Sequence, residues 1–261
     1  MRILFTFLMA ITAFDFLFSC SCLPQTIPYK YHRSEFVGVV EFVEIEIDKE
    51  DEDYHLAKVK TINIFKGKLI ESIRIHSSLS SSCSFLPDKN VEWLVFPVES
   101  KDGPVIGYCS GSRRIKPYPN NSLLNYEEYY NEHMYFTKWT LDIVKNISLL
   151  NSNGVCTSFL DDPFTYEDVD SINLPESIII NEYDFGIYKL SYDDDLKLCS
   201  INIEVSPKNK VLNEYVGYYF KWNTKVRIIK RVKPFKKQIL AVIRFERNKQ
   251  GEVKPYFYNY E

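Results

Sequence analysis

The sequence predicts a mainly β protein whose second half is of mixed α+β type, and three observations predict it. Runs with the two-residue alternation of half-buried strands recur over residues 36–109. An apolar spacing of three to five residues over residues 122–150 then marks a helical stretch. Beyond it, strands and one amphipathic helix follow in the order β-β-α-β-β. Composition agrees: of 261 residues 45% are apolar and 15% aromatic, with only 9 glycines, which excludes collagen-like, low-complexity and wholly disordered chains. A formal net charge of -3 supplies no concentrated basic surface, so no nucleic-acid partner is expected.

Taken in order, the first element is an export signal over residues 1–19. Met1-Arg2 provides a positive start, residues 3–14 an uncharged and mostly apolar run too short to span a bilayer, and Ser19-Cys20-Ser21-Cys22 small residues at the expected cleavage point. Leu17-Phe18-Ser19-Cys20 also resembles a bacterial lipobox, which implies a diacylglyceryl group on Cys20 and a membrane tether. Two localisations therefore stand side by side: a cell-envelope lipoprotein, or a periplasmic or secreted chain in which Cys20 is a disulfide partner. Cysteine parity favours the second, because without Cys20 the remaining Cys22, Cys83, Cys109, Cys156 and Cys199 leave one thiol unpaired in an oxidising compartment.

Residues 36–47 (FVGVVEFVEIEI) and 54–65 (YHLAKVKTINIF) are two alternating strands joined by the acidic loop 48–53, expected as a solvated hairpin tip rather than a calcium loop. The turn Lys66-Gly67-Lys68 leads to further strands over residues 69–77, 91–98 and 105–109, the spacing of a small barrel or sandwich. From 122 to 150, Leu123, Tyr126, Tyr130, Met134, Trp139 and Ile143 form the apolar stripe of a helix, expected to break near Thr137. An acidic linker or loop is expected over 156–185, and a small domain over 186–261. Within it, residues 186–192 and 196–205 flank the turn 193–195, residues 209–221 form the helix, and residues 225–232 and 238–245 are the closing strands. Its Lys and Arg residues are expected on the wet side of the strands.

Cys20-Ser21-Cys22-Leu23-Pro24, the strand starting near Glu35-Phe36-Val37, Phe65-Lys66-Gly67, Ser82-Cys83 and Tyr108-Cys109 together resemble the N-terminal domain of tissue inhibitors of metalloproteinases, within the wider netrin-like (NTR) group. The resemblance covers residues 20–116 and implies a five-stranded OB-type barrel. It also implies the bridges Cys20–Cys83 and Cys22–Cys109, which the cysteine count permits but does not select among fifteen connectivities. An inhibitor-like binding edge would then comprise Cys20, Ser21, Cys22, Leu23, Ser82 and Cys83. In that family the amine and carbonyl of the first cysteine chelate the zinc of a protease, a role falling here on Cys20, with Ser21 entering the specificity pocket. A catalytic zinc keeps one position open that such a chelate can fill. Lipidation of Cys20 would abolish that mechanism by acylating the amine. The family's cysteine-rich C-terminal part is absent here, and a helix and a further domain stand in its place.

Residues 186–245 bear a fainter resemblance to the C-terminal domain of TonB-type energy transducers, carried by Val211-Leu212-Asn213-Glu214, Trp222, Val226-Arg227-Ile228-Ile229 and the strand starting at Ile239. It implies recognition of a partner segment by edge-strand pairing. Cys156 and Cys199 are then left to pair with each other. Neither His32, His55, His76 nor His133 falls in a zinc-protease spacing, and phosphate loops and nucleophile elbows are missing from the sequence. The expectation is therefore a non-enzymatic protein without metal or cofactor. It would bind an envelope or extracellular protein, with a zinc metalloprotease as the alternative partner and an enzyme of unknown type as the second alternative.

Overall fold

The computed structural model describes residues 20–22, 25–119, 125–153, 184–192, 198–214, 216, 238–247 and 253–257. The chain divides into two units, residues 1–23 with 35–114 and residues 24–34 with 115–261. It is mainly β, with a curled seven-stranded sheet in the first unit, a four-stranded sheet in the second and few helices.

The first unit is organised by two long strands, β1 (Val37–Ile47) and β2 (Tyr54–Lys66), paired antiparallel with bulges at Val37/Gly38, Val39/Val40 and Phe42/Glu44. Bulges sharpen local twist, which is how so long a ribbon curls rather than lying flat. The strands β3 (Ser72–His76), β4 (Glu92–Val95), β5 (Val98–Ser100), β6 (Gly103–Gly107) and β7 (Arg113–Arg114) complete the order β5-β6-β3-β2-β1-β4-β7. β3 runs antiparallel to β2 but parallel to β6. Residues 91–98, expected as one strand, are two. Pro97 has no N–H to donate, so the ladder is interrupted there; β4 pairs with β1, and β5 pairs with β6 at the other end of the sheet. A two-residue connection therefore links opposite ends of one sheet.

Inside the curl lie Phe36, Val40, Phe42, Ala57, Val59, Ile73, Ile75, Trp93, Val95 and Ile106. They are the inward members of the alternating runs, and Trp93 meets Phe42 and Phe85 edge-on at 6.3 and 5.7 Å. Two glycines are required by space. A side chain at Gly38 would strike the Asn63 carbonyl and the Phe36 ring, and Gly67, at φ +83°, lies against the Glu35 carbonyl.

The second unit contains a helix that sequence periodicity did not mark, α1 (Ile27–Arg33). Thr26 caps it, its hydroxyl accepting from the Tyr29 N–H at 3.3 Å, and Ile27, Pro28 and Tyr31 are buried. α1 packs against α2 (Tyr126–Ser152) and the later strand β10 (Gln238–Arg247), so this segment belongs with the later chain rather than with the barrel expected over 20–116. α2 runs without the expected break at Thr137. That residue is 2% exposed on the buried stripe with Thr140, Val144 and Ile147, where a helix needs its packing partners rather than a bend.

The strands β8 (Phe185–Tyr192), β9 (Leu198–Val205), β10 (Gln238–Arg247) and β11 (Val253–Phe257) form a sheet in the order β11-β10-β8-β9, antiparallel throughout. Neighbours Ile187 and Tyr188 are both fully buried, so both faces of β8 are covered. On one face Trp139 of α2 meets Phe185 edge-on at 6.4 Å, and the Arg244 guanidinium lies 5.5 Å from the Trp139 and Phe136 rings. On the other, the Tyr188 hydroxyl donates to Asn213 Oδ1 beside fully buried Leu212. Burial pushes the Tyr188 phenol up, helped by the charge of Asp184. Asp184, expected in the acidic loop, is instead buried and accepts from the backbone N–H groups of Lys208 and Asn209 at 2.5 and 3.2 Å. β11 was not expected. The export signal, Leu23, Cys156, the loop over 156–183, the turn 193–195, residues 217–221 and the strand expected over 225–232 lie outside the described residues.

Candidate functional site

The residues singled out in the first half of the sequence meet at one place on the first unit. Cys20 is bonded to Cys83 and Cys22 to Cys109, with Cα separations of 5.1 and 5.4 Å. This is the pairing implied by the inhibitor resemblance. The bridges lay residues 20–22 beside two loops, one carrying Ser82 and Cys83, the other the short turn Tyr108–Ser110 that follows β6. Ser21 and Ser82 are exposed, while Cys20, Cys22 and Cys83 are half-buried. Together they form a ridge. A Cys20 sulfur held in this bridge has no valence left for a thioether, so the bridged and the lipidated forms are alternatives.

The loop bearing Cys83 is fixed at its base. The Asp53 carbonyl accepts from the N–H groups of Ser77 and Ser78 at 2.8 and 3.1 Å and from the Ser77 hydroxyl at 2.9 Å. With that hydroxyl donating to Asp53, buried His55 completes the contact by donating from Nδ1 to Ser77 Oγ across 2.8 Å. Phe85 N–H closes the loop onto the Ser77 carbonyl at 2.9 Å, and Cys83 N–H donates to Ser81 Oγ at 3.0 Å. Ser78 sits at φ +40°, an unusual conformation for a residue with a side chain. His76, on the other face of β3, is exposed, hydrogen-bonded to Ser78 and 4.9 Å from the Tyr54 ring; it is a surface residue of the strand.

Residues 49–53 of the acidic loop are exposed, and only its first residue is buried. Asp48 is 8% exposed and accepts from Arg74 Nε at 2.9 Å. Arg74 also donates to Asp102 at 3.0 Å and lies 3.9 Å over the Tyr54 ring. The N–H of Glu50 and the Arg74 guanidinium hold the Asp48 carboxyl below its ordinary range. Sequence periodicity missed this cluster because Asp48 lies just past the end of one strand and Arg74 sits on another, 26 positions later. The one available signal was an arginine on the short β3 strand facing an acidic loop across β2.

Cys199 is exposed on β9, and its expected partner Cys156 lies outside the described residues. Among the described residues no three His, Cys, Asp or Glu side chains are grouped to hold a metal ion, and no helix is long and apolar enough to cross a membrane. No family model matches the chain, and no curated protein matches it.

Proposed function

We propose that this is a non-enzymatic, exported or envelope protein whose first unit is an OB-type barrel similar to the netrin-like module, and that its ridge binds another protein. Strand order supports the barrel reading. Three consecutive antiparallel strands, a parallel β3–β6 contact, and a bent segment 92–100 pairing first with β1 and then with β6 are the connections a five-stranded Greek-key barrel requires. The observation that carries the functional reading is the pair of bridges, which fastens residues 20–22 to the loops of Cys83 and Cys109 and gives the surface a fixed shape. Preorganisation of this kind lowers the ordering cost of association. The test is a photoreactive residue placed at Ser21 or Ser82 in the exported protein, with the same residue at Leu56 and at Ile203 as controls. Discrete adducts from the two ridge positions and not from the controls support the reading; the reverse pattern, or none at any position, refutes it.

A second reading follows from Cys20 being bridged to the Ser82–Cys83 loop. Released as the first residue of a processed chain, Cys20 would offer its α-amine and carbonyl to the open position of a partner protease's zinc, with Ser21 directed to the specificity pocket. That chemistry needs an unmodified amine. One extra residue ahead of Cys20 should therefore abolish stoichiometric inhibition of a susceptible protease while leaving both bridges intact; equal inhibition by the extended form would refute chelation.

A further inference from the structure

The three segments gathered by the bridges share a property. Residues 20–22, 77–87 and 103–112 contain no Asp, Glu, Lys or Arg in 24 positions, whereas the chain as a whole is 26% charged. The acids that adjoin two of these segments are ion-paired: Asp102 accepts from Arg74 at 3.0 Å, and Asp88 accepts from Arg114 at 3.1 Å. The outer face of the β1–β2 ribbon is different, with Lys58 paired to Glu44 and Lys60 to Glu41. The three segments are thus themselves uncharged, with ion pairs beside two of them.

It also presents large apolar side chains to solvent. Leu79 is 54% exposed, Tyr108 49% and Leu86 43%, each within four residues of a bridged cysteine. Charge depletion combined with aromatic and aliphatic side chains, amid hydroxyls able to bond a partner's backbone, is the composition of the buried centre of a protein interface rather than of its rim. Anionic lipid and nucleic acid call for the opposite, a concentration of Lys and Arg.

Resting on the ridge as a binding surface, we infer that its partner is a protein offering an uncharged, apolar cleft, with Leu79 and Tyr108 as the side chains that anchor it. Association through such a surface is insensitive to salt, because neither steering nor contact depends on net charge. Its affinity rests on a few apolar anchors.

The experiment uses the full exported chain and the protein crosslinked from Ser82, purified and titrated against it at 50 and 500 mM sodium chloride. The expected result is a dissociation constant changed less than threefold by salt, weakened tenfold or more by Leu79→Asp or Tyr108→Asp, and unchanged by Leu56→Asp on the outer face of β2. Intact bridges, checked by mass, show that the ridge variants are folded, and Tyr108→Ala gives a milder loss in the same direction. A hundredfold salt dependence, or Leu79 and Tyr108 variants that bind normally, overturns the uncharged-cleft inference while leaving the ridge as the binding surface. A crosslink obtained from Leu56 and not from Ser82 overturns both.

Discussion

Removing one bridge of the ridge has a cost that the interleaving of the two bridges sets. Alone, Cys20–Cys83 and Cys22–Cys109 span sequence separations of 63 and 87. Either bridge, however, closes a much smaller ring once the other is present, because the path runs through the short stretch between Cys20 and Cys22 and the stretch between Cys83 and Cys109. For a ring of about 29 residues the chain-entropy relation gives about 3.6 kcal/mol, against about 4.3 and 4.6 kcal/mol for the two isolated loops. The variant Cys22→Ser/Cys109→Ser should therefore lose about 3.6 kcal/mol, and removing the remaining bridge should cost more than removing the first. At about 4–8 °C per kcal/mol for a domain of this size, the Tm of the first unit should fall by roughly 14–29 °C. Non-reducing thermal unfolding measures this, with amide exchange of β1 to β3 assigning the transition to the first unit. A fall below about 3 °C, with Cys20–Cys83 still bonded, would mean that residues 20–22 are not fastened to the sheet as described.

Four further outcomes are expected. Gly67→Ala, which combines positive φ with a clash on the Glu35 carbonyl, should cost about 2–4 kcal/mol, whereas Gly103→Ala, at φ +97° in open space, should cost about 1 kcal/mol; paired urea titrations compare them. Leu94→Ala empties a fully buried position on β4 and should cost about 3–5 kcal/mol by the same measurement. The Asp48 carboxyl is held below its ordinary value of 3.8, so its contribution to stability is present above that pH and lost as pH falls through the lower folded value. Asp48→Asn should accordingly flatten the loss of stability below pH 4, as followed by acid titration at several urea concentrations; an unchanged acid limb would refute the assignment. A fragment of residues 115–261, lacking Ile27 and Tyr31, should unfold without cooperativity, and a peptide of residues 24–34 added in trans should restore a sharp transition.

Much of the first sheet was legible because half-buried strands write their pattern directly into the chain. Residues 36–47 and 54–65 alternate over their whole length, and the observed β1 and β2 match them within a residue at each end. What alternation does not encode is pairing. The split of residues 91–98 at Pro97 depends on a missing donor, and the parallel β3–β6 contact joins segments far apart in sequence. α1 was hidden by its length of seven residues, too short for a period to repeat, although Thr26 followed by Pro28 was a readable start signal. Thr137 shows the limit of propensity: a β-branched residue weakens a helix, but burial against neighbours outweighs a few tenths of a kcal/mol. Asp184 belonged to an acidic stretch whose composition resembles a loop, and only its position beside the N–H groups of residues 208 and 209 makes it a buried anchor. At the ridge the cysteines were visible as residues. Their neutral surroundings became one surface only when the bridges brought three separate segments together.

Non-reducing peptide mapping of the mature protein, exported by its own host, bears most directly on the ridge. The expected spectrum contains a peptide beginning at Cys20 with a free α-amine, joined to the Cys83 peptide, and Cys22 joined to the Cys109 peptide. A Cys20 peptide carrying acyl chains, or unjoined to Cys83, would contradict the bridged ridge and with it the binding surface built on it.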